Sequence, residues 1–426
     1  MPLARGLLAS GVLIVVAWLL SSHRRRFPLR VVIGGLLLQW LLALAVLRTD
    51  WGRDFFTLIA YAVNVILQCT DAGTRFVLGN LVEPRDDAWG FVFAAKALPP
   101  IIVFSSLSAL GYHLGVLQAV VGGMARVMQK ALGVSGAESL SAAGNVFLGQ
   151  TEAPLLVRPY IAAMTESELM ALMTGGFATI AAGVMGAYVE ILGGPDESRR
   201  VEIARHFLTA MLMSAPASFA IAKIMIPETQ TPQTIGRVQI KVRRETKNVV
   251  HAAAVGAADG LKLALNVAAM LIAFIALIHL IDRGLTAFGA LSFVRPRLAA
   301  MGIAELNLAS MLGLMFSPIA YLIGADWGEC RSFGSLLGTA MAANEFVAYA
   351  RMPGMIAAGD ISDRTMLLAT YSLCGFANFS SIAIQIGGIG GIVPQRRGDL
   401  ARLGFRAMLG GAMACWMTGC IAGTLL

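Results

Sequence analysis

Charge is scarce in this 426-residue chain, with only 14% of its residues Asp, Glu, Lys or Arg. Soluble domains carry about 25%. That shortage excludes an ordinary soluble domain, and with 57% hydrophobic residues and a mean hydropathy of +0.73 it predicts a polytopic membrane protein. Alternating strands of about ten residues are missing, which excludes a transmembrane β-barrel. The five cysteines, Cys69, Cys330, Cys374, Cys415 and Cys420, show neither framework nor metal-ligand spacing and read as packing residues. The five histidines are scattered, which argues against a metal centre built on them. The net charge of +8 sits in short clusters between apolar runs and not on one face, so positive-inside loops explain it better than nucleic-acid binding does.

What remains is a series of apolar runs, and their interruptions carry the information. The run Gly6 to Leu20 is followed by His23, Arg24, Arg25 and Arg26, the reverse of a signal peptide's charge order, so it is a retained helix with its N-terminus outside. Val31 to Leu47 is the second span. Phe55 to Val82, punctuated by Asp71, Arg75 and Glu83, reads as interfacial. Phe91 to Gly111 spans, and Val116 to Leu132, with Arg126 and Lys130 on one helical face, reads as an amphipathic surface helix. Leu169 to Leu192, His206 to Ile226, Ala264 to Ile281, Met366 to Ile392 and Phe405 to Leu426 complete the spans. Leu306 to Ile323 is interfacial or leads into a hairpin. Arg237, Lys241, Arg243, Arg244 and Lys247 mark a cytoplasmic loop. Lys96 and Glu190 lie near span ends and can snorkel, and Asp282 with Arg283 marks a helix exit.

The stretch around which the chain is organised is Gly144 to Pro154, GNVFLGQTEAP, in which Asn145, Gln150, Thr151 and Glu152 interrupt apolar sequence. A carboxylate at membrane depth costs roughly 2.5 to 3.5 kcal/mol on insertion scales, so it marks a functional site. The flanking arms, Ser135 to Gly144 and Leu155 to Ile161, are too short to span, which predicts a re-entrant hairpin. Ser332 to Met352 repeats the pattern around Asn344 and Glu345. Each hairpin is followed by a span carrying a related element, GFAT at Gly176 to Thr179 and GFAN at Gly375 to Asn378, and the second span is further broken by Ser380, Ser381 and the glycines from Gly387 to Gly391. The order of features predicts an inverted repeat, with the site at the repeat interface. The fold class is therefore an all-α polytopic membrane protein of about eight transmembrane helices plus two re-entrant hairpins.

Glu152 and Glu345 can accept hydrogen bonds from a ligand or carry a coupling proton. With Gln150, Asn378, Thr151, Ser380 and Ser381 they suit a neutral, hydroxylated or heterocyclic ligand, since no Arg or Lys stands at the tips for an anionic one. Asn145, broken-helix carbonyls and the Thr179 hydroxyl make an all-oxygen sodium site. The plainer alternative is that Asn145 and Thr179 satisfy backbone groups freed at the breaks. Phe177, Phe346 and Phe376 either stack on a ligand ring or pack the core.

GNVFLGQTEAPLLVRPY (Gly144 to Tyr160), TGGFATIAAGVMGAY (Thr174 to Tyr188), NEFVAYA (Asn344 to Ala350) and CGFANFSSIAI (Cys374 to Ile384) resemble the concentrative nucleoside transporter family. The resemblance implies a homotrimer whose scaffold carries three transport domains moving in elevator fashion, and import of nucleosides, uridine-like ones among them, driven by sodium or protons. It implies that residues 1–112 are scaffold, that 113–226 and 329–426 form the two halves of the transport domain, and that 227–328 hold a cytoplasmic loop, a scaffold span and an interfacial helix. By the same resemblance Gln150, Thr151, Glu152 and Val184 face the nucleobase, Glu345, Asn378 and Ser381 hold the ribose, and Phe376 packs nearby. The implied sodium ligands are Asn145, the Leu148 carbonyl, the Thr179 hydroxyl and the Ile180 carbonyl. The chain looks like the shorter bacterial form, which implies the bacterial inner membrane.

One monovalent cation entering down about 100 mV supplies about 2.3 kcal/mol, enough for roughly fifty-fold accumulation of a neutral solute. A sodium-coupled symporter is thus the expected function. A proton-coupled symporter is its variant, and a membrane-embedded enzyme or a passive channel its rivals.

Overall fold

The computed structural model describes residues 3–82, 92–236, 246–300, 303 and 305–426. Glu83 and Phe91, and the basic residues Arg237, Lys241, Arg243 and Arg244 of the expected cytoplasmic loop, lie outside the described residues. Among the described residues the chain is helical throughout, and seven helices are long and apolar enough to cross a membrane.

In chain order the main helices are α1 (Leu3–Leu19), α2 (Leu29–Arg48), α3 (Asp50–Leu78), α4 (Pro99–Leu114) and α5 (Val116–Leu132). Hairpin 1 is α6 (Gly136–Leu148) followed by a 3-10 turn at Ala153–Val157 and one α-turn at Arg158–Ile161. The next span is divided into α7 (Glu166–Ala178) and α8 (Ala182–Gly193). It is followed by α9 (Glu197–Met225), α10 (Val249–Gly289) and α11 (Leu308–Ile323). Hairpin 2 is α12 (Cys330–Ala342) with α13 (Glu345–Ala357). A second divided span, α14 (Asp363–Ser372) and α15 (Phe379–Ile392), precedes α16 (Arg397–Leu425).

Burial separates these helices into two sets. The windows in α7–α8 and α9 are 89% buried and that in α16 is 83% buried, whereas α2 and α3 are 28% buried and the 41-residue α10 only 17%. The buried set reads as small and polar because its helices pack on each other, while the exposed set presents Leu, Ile and Val to lipid. Helix starts in the buried set are fixed by side chains. Ser135 and Glu138 form a capping box on α6, and Thr165 and Glu168 form another on α7. Lys223 of α9 pairs with Glu138 and donates to Ser167 at 3.0 Å, tying both starts to one buried cation.

Three sequence expectations need correction. The segment expected to be interfacial, Phe55 to Val82, lies almost wholly within α3, a 29-residue helix about 43 Å long with the hydropathy of a span. Its polar residues have partners, which the sequence hides. Asp71 accepts from the Lys96 ammonium at 3.0 and 3.1 Å, and Asn64 donates to Glu197 at 2.8 Å while accepting from Arg200 at 3.0 Å. Lys96 is therefore an ion-pair member and not a snorkelling side chain. Second, the glycines from Gly387 to Gly391 do not break the last divided span. They stay helical in α15, and the break is confined to Leu373–Asn378. Third, the first arm of hairpin 1 continues to Leu148 and takes Asn145 into the helix, so the tip is only Gly149 to Glu152. By contrast, Val116 to Leu132 is the expected amphipathic helix, with Val121, Ala125, Met128 and Leu132 buried and Arg126 and Lys130 exposed.

Candidate functional site

The two divided spans cross at their GFA elements. A Cβ on Gly375 would lie 2.5 Å from the Phe177 carbonyl oxygen, so only glycine permits this approach of backbone to backbone. The crossing brings the tips of both hairpins to one place, where they line an open cleft. Gln150, Thr151 and Glu152 line it from hairpin 1, Glu345 from hairpin 2, Val184 from α8, and Phe376, Asn378 and Ser381 from the second break and the start of α15. All eight expected substrate residues thus line one cleft.

Sequence reasoning missed several parts of the wall. Leu263, Val267 and Met270 of α10 close the cleft from the lipid-exposed set, and Ile384 adds to it, beside Asn344 and Phe346, which the sequence had marked. The most consequential omission is Tyr188. Its hydroxyl donates to Glu345 Oε1 at 2.8 Å, and the ring is fully buried. A tyrosine within an otherwise apolar helix, one turn after Val184, was the available signal.

Glu345 is held in an oriented frame. Asn378 caps α15, its Oδ1 accepting from Ser381 N at 2.9 Å and from the Ser380 hydroxyl at 2.7 Å. That leaves only the Asn378 Nδ2 to face hairpin 2, where it donates to Glu345 Oε2 at 3.1 Å. Each carboxylate oxygen therefore accepts one protein hydrogen bond and keeps further acceptor capacity toward the cleft. Glu345 also begins α13, with Asn344 as N-cap accepting from Val347 N at 3.0 Å, and a helix N-terminus favours a carboxylate. Glu152 has a different setting: it is exposed in the cleft, and a second cavity beneath it is lined by Ser105, Ser108 and Asp259.

The three phenylalanines divide in a way that composition cannot foresee. Phe177 is fully buried in the core. Phe346 lines the cleft and meets Tyr188 edge-on at 4.6 Å between ring centroids. Phe376 is partly buried at the cleft wall.

The expected sodium ligands lie on the first-repeat break and the adjoining hairpin arm. With its amide turned to suit its neighbours, Asn145 donates from nitrogen to the Gly149 carbonyl at 2.9 Å and accepts at oxygen from Gly176 N at 3.0 Å. The Thr179 hydroxyl donates to the Gly175 carbonyl at 2.9 Å. Both side chains do satisfy backbone groups beside the helix ends, as the plainer alternative held. Yet donation by the Thr179 hydroxyl leaves its oxygen lone pairs available, and the Asn145 carbonyl retains a second lone pair. Leu148 ends α6 and Ile180 lies in the break itself, so their carbonyls are among those a continuous helix would have bonded. The donor set is neutral, all-oxygen and suited to a hard monovalent cation. Among the described residues no group of three His, Cys, Asp or Glu side chains could hold a transition metal.

Known proteins match the chain along its whole length. The family model described as "Na+ dependent nucleoside transporter C-terminus" covers residues 206–423, its N-terminal counterpart covers 8–81, and "Nucleoside recognition" covers 94–195. An uncharacterized transporter of Haemophilus influenzae is 41% identical over all of this chain and 98% of that protein. The mouse solute carrier family 28 member 3 is 39% identical over 97% of this chain, which spans 57% of that longer protein. The solved structure of CNTnw in an inward-facing substrate-bound state superposes with a TM-score of 0.89 at 38% identity, covering 99% of this chain and 98% of that one. The match to the sodium-dependent family supports sodium as the coupling ion. Fold, cleft and relatives agree, and the chain belongs to the Na+-dependent, concentrative nucleoside transporter family, whose members are multi-pass membrane transporters and not enzymes.

Proposed function

We propose that this protein is a sodium-coupled symporter that imports nucleosides, uridine-like ones among them. The observation that carries the reading is the convergence on one cleft of eight residues from four separated stretches of sequence, with no Lys or Arg among the described residues that line it. Gln150, Thr151 and Glu152, with Val184, take the nucleobase. Glu345, Asn378 and Ser381 take the ribose, whose hydroxyls match the acceptor capacity of Glu345. Phe376 packs beside the sugar. Sodium binds through Asn145, Leu148, Thr179 and Ile180, and its charge organises the first-repeat break against which Gln150 and Val184 stand.

The elevator mechanism draws support from the two burial classes. The hairpins, the divided spans, α9 and α16 form the moving body, and the exposed set, α10 included, forms the scaffold against which it slides. Leu263, Val267 and Met270 of α10 give this body an apolar wall to move against. A 41-residue α10 with most of its surface uncovered suits packing between copies in a homotrimer. Full-length relatives in Haemophilus influenzae and Bacillus subtilis support a bacterial inner-membrane location.

The test is uptake of labelled uridine into proteoliposomes with sodium inside and out replaced by choline at equal pH. Sodium coupling requires uptake to collapse in choline. Unchanged uptake overturns it in favour of proton coupling, and recovery of a modified product would overturn symport altogether.

A further inference from the structure

Gln385 lies behind the cleft wall and does not line it, is only 1% exposed, and has no part in the binding scheme above. Its amide nitrogen donates to two acceptors: the Met173 carbonyl at 3.1 Å and Gln150 Oε1 at 3.0 Å. A backbone carbonyl can only accept, so the first bond fixes which end of the Gln385 amide faces α7. The reverse orientation would set Gln385 Oε1 against the Met173 oxygen, two acceptors in contact. The second bond then fixes Gln150 in turn. Its Oε1 is directed to Gln385, and its Nε2 is left toward Ser381 Oγ, at 3.3 Å, and the cleft.

Packing holds the two amides in contact. A Cβ on Gly176 would lie 2.7 Å from Gln385 Nε2 and 3.0 Å from Gln150 Cβ, so the glycine of the first GFA element makes the recess in which the two amides meet. The chain Met173–Gln385–Gln150–Ser381 therefore runs from α7 through α15 to the hairpin 1 tip and back, joining both repeats behind the base-facing wall.

We propose that Gln385 is the positioning residue that fixes the Gln150 amide with its N–H toward the cleft, so that this wall selects nucleobases presenting a hydrogen-bond acceptor, a carbonyl oxygen or an unprotonated ring nitrogen, at that point. The inference rests on the reading of the cleft as a nucleoside site. A freely turning glutamine would present donor or acceptor as the base required. An anchored one discriminates, because the wrong edge meets an unpaired buried group.

The test is a double-variant cycle in proteoliposomes, using whichever of uridine and adenosine the parent protein takes up faster. Gln385→Met retains length and burial but cannot donate. It is expected to raise KM about 3- to 10-fold, the loss of one oriented hydrogen bond, with the maximal rate and the sodium half-saturation little changed. In a Gln150→Leu background the same substitution is expected to change KM less than about twofold, because Gln385 then has nothing to orient. A KM for Gln385→Met within about twofold of the parent, or an equal rise in both backgrounds, overturns the proposal. If Gln385→Met does not yield a monodisperse protein, Gln385→Leu, which also cannot donate, replaces it in the same cycle with the same expected and overturning results. A parent that takes up neither nucleoside, or a Gln150→Leu variant with unaltered KM, defeats the reading of the cleft itself, a result distinct from failure of the coupling.

Discussion

Replacing Glu345 by glutamine tests the site at its most constrained point. The carboxylate accepts from Tyr188 at 2.8 Å and from Asn378 at 3.1 Å. Asn378 cannot turn over, because its Oδ1 is committed to Ser381 N and the Ser380 hydroxyl. The new amide must therefore point its oxygen at Asn378 and its nitrogen at Tyr188, whose phenolic oxygen can accept as well as donate. Both contacts survive, with the Tyr188 hydroxyl turned from donor to acceptor, so the local structure is kept. What changes is the face toward the cleft, where a charged pair of acceptors becomes one neutral acceptor and one donor. Hydrogen bonds to a charged group contribute about 1.5 to 3 kcal/mol each, or roughly 10- to 150-fold in affinity, and a ribose offering two hydroxyls loses both. Uptake of labelled uridine should fall by roughly 100-fold or more, beyond detection in proteoliposomes, while the elution volume of the detergent-solubilised protein stays that of the parent. Uptake within about threefold of the parent, in protein of unaltered assembly, would refute the ribose role of Glu345.

Tyr188→Phe removes one of the two bonds that aim Glu345, and the KM for uridine should rise about 3- to 10-fold at unchanged expression; an unaltered KM would show that the phenol only packs. Thr179→Val keeps shape but not the hydroxyl oxygen, so the sodium concentration for half-maximal uptake should rise several-fold while uptake at saturating sodium recovers. A sodium dependence indistinguishable from the parent's would remove Thr179 from the ion site. Gly176→Ala, by crowding the Gln385 and Gln150 amides, should weaken uridine uptake without altering the sodium dependence, and normal uptake would refute the close packing there. Lys223→Met leaves Glu138, whose side chain is 1% exposed, without its cation, a loss of about 3 to 5 kcal/mol that should lower the unfolding midpoint in detergent. An unchanged midpoint would show that this buried pair contributes nothing to stability.

Legibility in the sequence followed the physics of insertion. A carboxylate in an apolar run is costly wherever it sits, so Glu152 and Glu345 were conspicuous before any geometry was known. The two GFA elements were visible for a related reason. A divided span must have residues that tolerate broken backbone, and Thr179 at the first break and Gly375 with Asn378 at the second supply them. Polar residues that pair across helices gave the opposite result. Asp71 looked like a membrane-surface residue because its partner, Lys96, stands on another helix. Periodicity along one helix carries no information about a neighbour that folds against it, and so Phe55 to Val82 read as interfacial when it belongs to a long apolar helix.

Two of the residues missed in the site share a different property: they act one layer behind the surface the ligand would touch. Tyr188 and Gln385 are neither charged nor at a break, and each is buried, so neither carries the cost that makes Glu345 stand out. Yet a period-based reading held their position. Asn378, Ser381 and Gln385 are spaced by three and four residues, one face of α15, and Val184 and Tyr188 are four apart on α8. Once the first member of each set is placed at the cleft, helical geometry puts the next on the same side, one turn deeper. That rule extends the search beyond conspicuous residues. In a membrane helix that supplies one ligand-facing group, a tyrosine or an amide one turn further along the same face is the first candidate for the group that orients it, since a buried donor needs an acceptor and the nearest one belongs to the site.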